Sequence, residues 1–197
     1  LDEGGGGVAT DSSGLGHHGY LKGGVKWCEG RLGGRALQLK TMDSVRVKGT
    51  PALRPARQVA VSLWVRPGDV DRGGSDVVSM GDSYAIRILS NGNVSFFCWS
   101  GTDWIVCTSK EAEVRDGRGH HVLGQKTAQG LEVYVDGVLR GRNPTLSPIV
   151  YSLGSNLYVG KHGDRKTDFY FEGTVDDVKI YNRSLSEMEL RALSAGN

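Results

Sequence analysis

Two tryptophans, Trp99 and Trp104, stand on either side of a short polar segment and could form a platform for a sugar. Sugar rings present apolar C–H faces, so carbohydrate sites combine an aromatic surface with a few polar groups. Alternation along the preceding strand puts Arg87 on the side opposite its apolar neighbours. If that side is open, Arg87, Trp99 and either Tyr84 or Trp104 form the platform. The alternative is that these aromatic rings lie in a hydrophobic core.

The segment from His162 to Tyr170 is a second candidate site, because it mixes charged and aromatic residues. His162 and Arg165 are the residues that we expect to contact a ligand there. Such a segment suits an acidic or sulfated glycan, since guanidinium groups bind carboxylates and similar anions in a bidentate manner. The alternative is a solvated loop without a ligand.

The three cysteines raise the question of a disulfide. Cys98 and Cys107 lie opposite each other if their strands form a hairpin centred near Gly101 and Thr102. A cross-strand disulfide then becomes possible. The alternative is a pair of small buried thiols. Cys28 has no predicted partner.

The sequence offers little that points to catalysis. Glycoside hydrolases use two carboxyl groups about 5–10 Å apart, whereas Glu111 and Glu113 resemble a solvated strand edge. A lyase would need Tyr, His and a basic side chain on one sheet face. The candidates for that role are Tyr84, Arg87, His121 and Tyr134. Their spacing does not single them out, so we assign no catalytic residue.

The elements that position these residues are short strands. Val59 to Val65 alternates with a period of two, and Asn91-Gly92 and Asp136-Gly137 are typical of tight hairpin turns. Turn signals fall every 8–12 residues, and 30 glycines accompany only 5 prolines. This spacing predicts an all-β sandwich or barrel.

One short helix is predicted at the C-terminus. Ser186 followed by Glu189 is the pattern of a capping box. Leu185 and Leu190 occupy the positions of a hydrophobic staple. We expect this helix to pack on its own domain.

Composition limits the class of protein. A chain of 197 residues with 38% apolar residues fits one domain, spanning 1–197. A net charge of +2, without a cluster of five basic residues, argues against a nucleic-acid partner. The sequence contains no run of 18 apolar residues, so no membrane-spanning helix is predicted. The chain opens on Leu1 without an initiator Met, so we expect a domain excised from a longer protein.

Several segments, taken in order, carry a family resemblance. They are Asp2-Glu3-Gly4, Asp11 to Gly19, Gly33 to Leu37, Val61 to Val65, His120 to Val122, Tyr134 to Gly137, Tyr158 to Gly160 and Gly173 to Ser186. The set resembles the laminin-G-like domain of the concanavalin A-like lectin/glucanase superfamily. The resemblance implies a jelly-roll sandwich of two antiparallel sheets. It also implies a secreted, extracellular bacterial protein in which the module is tethered to a polysaccharide-degrading catalytic domain.

The resemblance also implies a structural calcium ion, since an equivalent loop and acidic pair approach a metal in such domains. Carried over to this sequence, the ligands are Asp11, a backbone carbonyl near His17, and Asp176 or Asp177. Alternation puts Asp176 and Asp177 on opposite faces, so they are not expected to share one ion. The alternative is that Asp11 caps a turn and Asp176 accepts backbone N–H bonds.

Together these features predict a non-catalytic carbohydrate-binding module that holds a polysaccharide or oligosaccharide. A protein-binding adhesion module is the alternative, because laminin-G-like domains also bind proteins. A small polysaccharide lyase or glycoside hydrolase is a third hypothesis. The Glu-x-Asp-x-x-Glu strand of laminarinase-like enzymes does not occur in this sequence.

Overall fold

The computed structural model describes residues 3–69, 73–152, 154–163 and 168–196. Within them the chain forms two antiparallel sheets and one C-terminal helix, which confirms the predicted all-β sandwich. The strands are β1 Val8–Ala9, β2 Gly19–Lys22, β3 Lys26–Glu29, β4 Arg35–Leu39, β5 Ser44–Val47, β6 Val59–Pro67, β7 Ser75–Ser79, β8 Tyr84–Ile88, β9 Val94–Trp99, β10 Trp104–Thr108, β11 His120–Lys126, β12 Gly130–Val135, β13 Val138–Pro144, β14 Leu157–Val159 and β15 Gly173–Tyr181. The helix α1 is Glu187–Ala195, and short 3₁₀ turns span Arg31–Gly33 and Pro51–Leu53.

The two sheets pack face to face around one hydrophobic core. The eight-stranded sheet has the order β1-β2-β5-β14-β7-β8-β9-β10, and the seven-stranded sheet has the order β13-β12-β11-β6-β15-β4-β3. Their inner faces supply large, fully buried side chains, among them Leu37, Leu63, Tyr84 and Phe96. Each sheet therefore has one outer face on which a ligand could bind.

One row of residues crosses the outer face of the eight-stranded sheet from edge to edge. Successive strand partners in this row are Val8, Tyr20, Arg46, Tyr158, Ser79, Ala85, Phe97 and Val106. The row is exposed at both ends, but Ser79 and Ala85 in its middle are completely buried. The chain after β14 covers this middle part, since Ser79 Oγ donates to the Lys161 carbonyl at 2.8 Å. The outer face is thus open at two separate ends.

The helix covers part of the outer face of the seven-stranded sheet. Leu185 and Leu190 pack with Ala60, Leu123 and Tyr134 in a small second cluster. The capping box of Ser186 and Glu189 is present. The prediction of this helix and its packing is confirmed. Among the described residues, no helix combines the length and apolar character that crossing a membrane would require.

The predicted disulfide does not form in this structure. The β9–β10 hairpin is centred between Gly101 and Thr102 as expected, but this centre pairs Cys98 with Ile105 and Cys107 with Phe96. The expectation that it would place the two cysteines opposite each other is wrong, because that pairing needs a centre between Thr102 and Asp103. The two cysteines are diagonal neighbours, about 7–8 Å apart in regular strands, which exceeds the span of a disulfide. Both are buried free thiols. Burial raises the pKa of Cys98, and it raises the pKa of Cys107 to about 11.

Candidate functional site

Trp99 and Trp104 form an aromatic pair on the outer face of the eight-stranded sheet. They are direct partners in the β9–β10 register. Their ring centroids lie 4.5 Å apart, with the ring planes inclined by 48°. Trp104 is 53% exposed, and Val106, the next outward residue of β10, is 45% exposed. The pair therefore presents an apolar surface to solvent at the edge of the sheet.

The hairpin that carries this pair is held by its own turn and by two neighbouring segments. The Ser100 hydroxyl accepts a hydrogen bond from the Asp103 backbone N–H at 2.9 Å, and Gly101 adopts φ 102°. The Trp99 backbone N–H donates to the Ser83 carbonyl at 3.0 Å, and its carbonyl accepts from the Val150 N–H at 2.8 Å. These bonds fix the strand end, so the aromatic surface is formed before any ligand arrives.

Polar groups lie beside the aromatic pair. The Thr102 hydroxyl donates to the Asp103 carboxylate at 2.8 Å, and both residues are exposed at the turn. Hydroxyl and carboxylate groups next to an apolar ring surface are the combination that binds sugars.

Arg87 and His162 meet at a buried carboxylate in the middle of the same face. Arg87 Nε donates to Asp76 Oδ1 at 2.5 Å, and His162 Nδ1 forms a short contact with Asp76 Oδ2. Asp76 is completely buried and His162 is 2% exposed. His162 Nε2 lies 2.8 Å from Asp82 Oδ1, although without hydrogen-bond geometry. The structure thus places Arg87 and His162, both predicted to contact a ligand, in a buried ion-pair network. This network joins the sheet to the chain after β14, which contains His162.

Aromatic rings enclose this network. The Arg87 guanidinium lies 3.9 Å from the Phe169 ring centroid and 5.2 Å from that of Phe97. His162 stacks near Phe97 with ring centroids 6.4 Å apart. Arg87 and His162 therefore attach the covering segment to the sheet, next to the exposed tryptophan pair. The predicted residue Arg165 lies outside the described residues.

Tyr84 does not belong to the platform. Its side chain is completely buried on the inner face of the sheet, and its hydroxyl donates to the Leu53 carbonyl at 3.1 Å. Burial raises its pKa far above the usual value. The expectation that Tyr84 could contact a ligand is therefore wrong. Its alternation with Ile86 and Ile88 already places it on the apolar side.

The Asp11 loop is closed by its own hydrogen bonds. The Asp11 carboxylate accepts bonds from the Ser13 N–H at 3.0 Å, the Ser13 hydroxyl at 2.8 Å and the His17 N–H at 2.9 Å. Desolvation acts to raise the pKa of Asp11, but these bonds outweigh it and lower the pKa to about 2. The carboxylate thus serves as the acceptor at the centre of a turn.

Asp176 lies on the other sheet. It pairs with Trp64 on the outer face of the seven-stranded sheet and accepts bonds from the backbone N–H groups of Arg31 at 3.1 Å and Asp177 at 2.8 Å. A β-bulge follows it, and Asp177 adopts φ 51°. Regular alternation would put Asp176 and Val178 on the same face. The bulge interrupts that alternation, so Val178 packs on the core while Asp176 faces outward.

The predicted calcium ligands belong to segments of different sheets. Asp11 and His17 lie between strands of the eight-stranded sheet, whereas Asp176 and Asp177 belong to the seven-stranded sheet. Among the described residues, no three His, Cys, Asp or Glu side chains form a group that could hold a metal. Side chains alone therefore do not supply the six to eight oxygen ligands that calcium takes, and backbone carbonyls and water would have to complete the set. The ion stays a prediction from the resemblance.

A cavity that the sequence did not indicate lies on the outer face of the seven-stranded sheet. It has a volume of about 330 Å³ and is lined by Glu29, Gly30, Arg31, Ala36, Trp64, Val65, Arg66, Gly119, Thr174 and Asp176. The Arg31 guanidinium covers the Trp64 ring at 3.8 Å from its centroid. This contact joins a 3₁₀ turn to a distant strand, so local sequence patterns could not have revealed it.

The four lyase candidates do not share one surface. Tyr84 is in the core and Arg87 is on the outer face of the eight-stranded sheet. His121 and Tyr134 lie on strands of the seven-stranded sheet. His121 Nε2 lies 2.9 Å from the Ser62 hydroxyl, and burial lowers the pKa of His121 to about 4. The arrangement thus separates the groups that a lyase would need together.

Residues 39–191 match a laminin-G family model described as the concanavalin A-like lectin/glucanases superfamily. This match covers most of the chain, which therefore belongs to that superfamily. A search of curated proteins found no significant sequence match.

Solved structures share the fold at low sequence identity. Domain 4 of AbnA, a GH43 extracellular arabinanase from Geobacillus stearothermophilus solved in complex with arabinotriose, has a TM-score of 0.74 and 20% identity. That match covers 94% of this chain and 92% of the domain. The binding domain of Paraclostridial Mosquitocidal Protein 1 has a TM-score of 0.77 and 18% identity, over 95% of this chain and 49% of that one.

A third similar structure belongs to botulinum neurotoxin type C, whose cell entry depends on interaction with two ganglioside molecules. It has a TM-score of 0.73 and 14% identity over 95% of this chain and 48% of that one. The chain spans about half the length of these two toxin structures. At such identities the similarity establishes the fold.

Proposed function

We propose that this chain is a non-catalytic carbohydrate-binding module that holds a polysaccharide on the outer face of its eight-stranded sheet. The observation that carries the proposal is the aromatic pair of an exposed Trp104 and a half-buried Trp99, which is fixed by the hairpin. One sugar ring stacks on this surface, and the neighbouring turn hydroxyl and carboxylate bond its hydroxyl groups.

The comparisons support a binding role of this kind. The arabinanase domain was solved with an oligosaccharide, and the neurotoxin structure concerns ganglioside interaction. The proposal also includes a secreted bacterial protein in which the module is tethered to a catalytic domain. Tethering raises the local concentration of substrate at that enzyme. A structural calcium ion is kept as a separate proposal, which metal removal tests below.

The test is affinity gel electrophoresis of the purified chain against arabinan, xylan, β-glucan, alginate and a sulfated galactan. We expect selective retardation by at least one polysaccharide. Trp104→Ala should weaken that retardation about tenfold, while Trp104→Phe, which keeps a ring for stacking, should retain most of it. Leu146→Ala is the control, because this side chain is 86% exposed and lies outside the aromatic pair.

Thermal unfolding of each variant shows whether the domain stays folded. Retention that is equal in Trp104→Ala and the parent chain would contradict the assigned face. Absence of retention on every polysaccharide would contradict the carbohydrate proposal and favour the protein-binding alternative.

A further inference from the structure

A second cavity lies on the outer face of the eight-stranded sheet, at the end opposite the tryptophan pair. We call it the basic pocket, and it has a volume of about 440 Å³. It is lined by Tyr20, Arg46, Lys48, Gly49, Arg54, Ser155 and Asn156. Three of these residues are cationic, and no carboxylate is among the described lining residues.

The basic pocket is built by contacts between distant parts of the chain. The Gly49 N–H donates to Asn156 Oδ1 at 3.3 Å, and Arg54 Nη2 donates to the Ser155 carbonyl at 2.6 Å. A Cβ atom at Gly49 would lie 1.8 Å from the Ser155 carbonyl oxygen, so only glycine permits this approach. The residues at the end of β5 are thus fixed against the chain that leads into β14.

The cations of the basic pocket have no carboxylate partner within the described residues. None of the ion pairs in the described part of the chain involves Arg46, Lys48 or Arg54. Arg54 Nε is buried without a hydrogen-bond partner among the described residues. Lys161 adds a further cation nearby, 4.9 Å from the ring of Tyr158, which is the strand partner of Arg46. A concave group of cations concentrates positive potential and attracts anions.

The two open ends of the face are separated by a distance that an extended polymer can span. Arg46 on β5 and Val106 on β10 belong to the same row, five strand positions apart. At about 4.8 Å between neighbouring strands this distance is roughly 24 Å. One chain of several sugar rings could therefore contact both the tryptophan pair and the basic pocket.

We infer that the basic pocket binds the anionic groups of a polysaccharide, sulfate or carboxylate, whose sugar rings lie on the tryptophan pair. The identity of the ligand as a glycan rests on the proposed function, whereas the preference for an anion rests on the pocket itself. Arginine and lysine recognise sulfate and carboxylate by the same charge-assisted hydrogen bonds.

The test compares three probes by isothermal titration: heparin as a sulfated glycan, polygalacturonate as a carboxylated glycan and arabinan as a neutral glycan. The double variant Arg46→Gln/Lys48→Gln should bind at least one anionic probe about tenfold more weakly than the parent chain, equal to roughly 1.4 kcal/mol. Which probe loses affinity distinguishes sulfate from carboxylate. Affinity of the parent chain for that probe should also fall as salt rises.

The control is Lys26→Gln/Arg66→Gln, which removes the same charge from exposed positions on the outer face of the seven-stranded sheet. Equal loss of affinity in this control would show a general charge effect and overturn the basic pocket. Equally tight binding of a DNA oligonucleotide would overturn its assignment to a glycan.

The outcomes distinguish failure of the basic pocket from failure of the proposed function. Binding of arabinan without binding of either anionic probe would overturn the basic pocket and leave the proposed function intact. Binding of an anionic probe that is unchanged in Trp104→Ala would support anion binding by the basic pocket, but it would contradict the tryptophan site and a ligand shared between the two. No binding of any of the three probes would overturn the basic pocket, and it would overturn the proposed function as well if none of the polysaccharides in the electrophoresis test is retained.

Discussion

His162 and Asp76 are 86 positions apart in the chain, yet their side chains meet beneath the outer surface of the eight-stranded sheet. Asp76 also accepts two hydrogen bonds from Arg87, at 2.5 and 3.2 Å. One buried carboxylate therefore joins β7, β8 and the chain after β14. This junction holds the segment that divides the outer face into its two open ends.

Removal of this carboxylate should destabilise the fold. Asp76→Asn would leave Arg87 without its buried counter-charge, and loss of one member of a buried ion pair costs about 3–5 kcal/mol. We expect the free energy of unfolding, measured by urea denaturation, to fall by about 3 kcal/mol. Asp177→Asn is the control, because its ion pair with Lys179 is exposed and should contribute less than about 1 kcal/mol. Equal effects of the two variants would contradict the role of Asp76.

His121 should make the fold less stable in acid. Burial lowers the pKa of His121 to about 4, whereas the pKa of an unfolded histidine is about 6.5. Between these values the unfolded chain binds more protons, so stability rises with pH through this window and is lost as pH falls through it. The size of this contribution is about 3 kcal/mol.

Urea denaturation between pH 7 and pH 4 measures this effect. His121→Gln should flatten the dependence of stability on pH in this window. The imidazole signals in NMR should also show that His121 titrates below pH 5. A variant with the same pH dependence as the parent chain would exclude His121 as its source.

The cysteines should behave as thiols without a disulfide. Cys98 and Cys107 are 2% exposed, and burial raises the pKa of both. Since thiolates are the reactive species, a thiol reagent should not label these two residues in the folded chain. In denaturant without reductant it should label all three cysteines of the sequence. Labelling of only Cys28 in denaturant would instead support a disulfide between Cys98 and Cys107.

Calcium binding near the Asp11 loop can be tested through the thermal stability of the chain. The calcium prediction implies a melting temperature that is higher in calcium than in EDTA, because an ion bound only by the folded state stabilises it. The same shift should be absent from Asp11→Asn and present in Asp116→Asn, a surface control. Equal melting temperatures with calcium and EDTA would contradict the prediction and leave the hydrogen bonds of Ser13 and His17 to hold the loop.

Local features of the sequence determined the strands, the turns and the helix. The alternation of Val59 to Val65 appears as the central strand β6. The Asn91-Gly92 turn is formed, with Gly92 at φ 80°. Ser186 caps α1 as its spacing with Glu189 predicts. These features depend on residues within a few positions of each other, so periodicity and turn chemistry suffice to identify them.

The sequence also brought Trp99 and Trp104 together, since both flank one short turn. It could not show that Trp104 is exposed while Tyr84, on the neighbouring strand, is buried. That difference depends on which sheet face meets the core and which face the later chain covers. Cys98 and Cys107 would be direct partners only in a hairpin centred one residue later, between Thr102 and Asp103, because each such shift moves strand partners by two positions.

Only the tertiary structure decided the long-range groupings. It joined Asp76 to His162, placed Arg31 over Trp64 and set Arg54 beside Ser155. It also placed Asp11 and Asp176 in segments of different sheets. Such contacts connect segments that are distant in the chain, and their formation depends on the packing of the whole sandwich. No local pattern of residue types specifies which distant backbone will approach, so the arrangement of exposed and covered residues on each sheet face is a property of the folded domain.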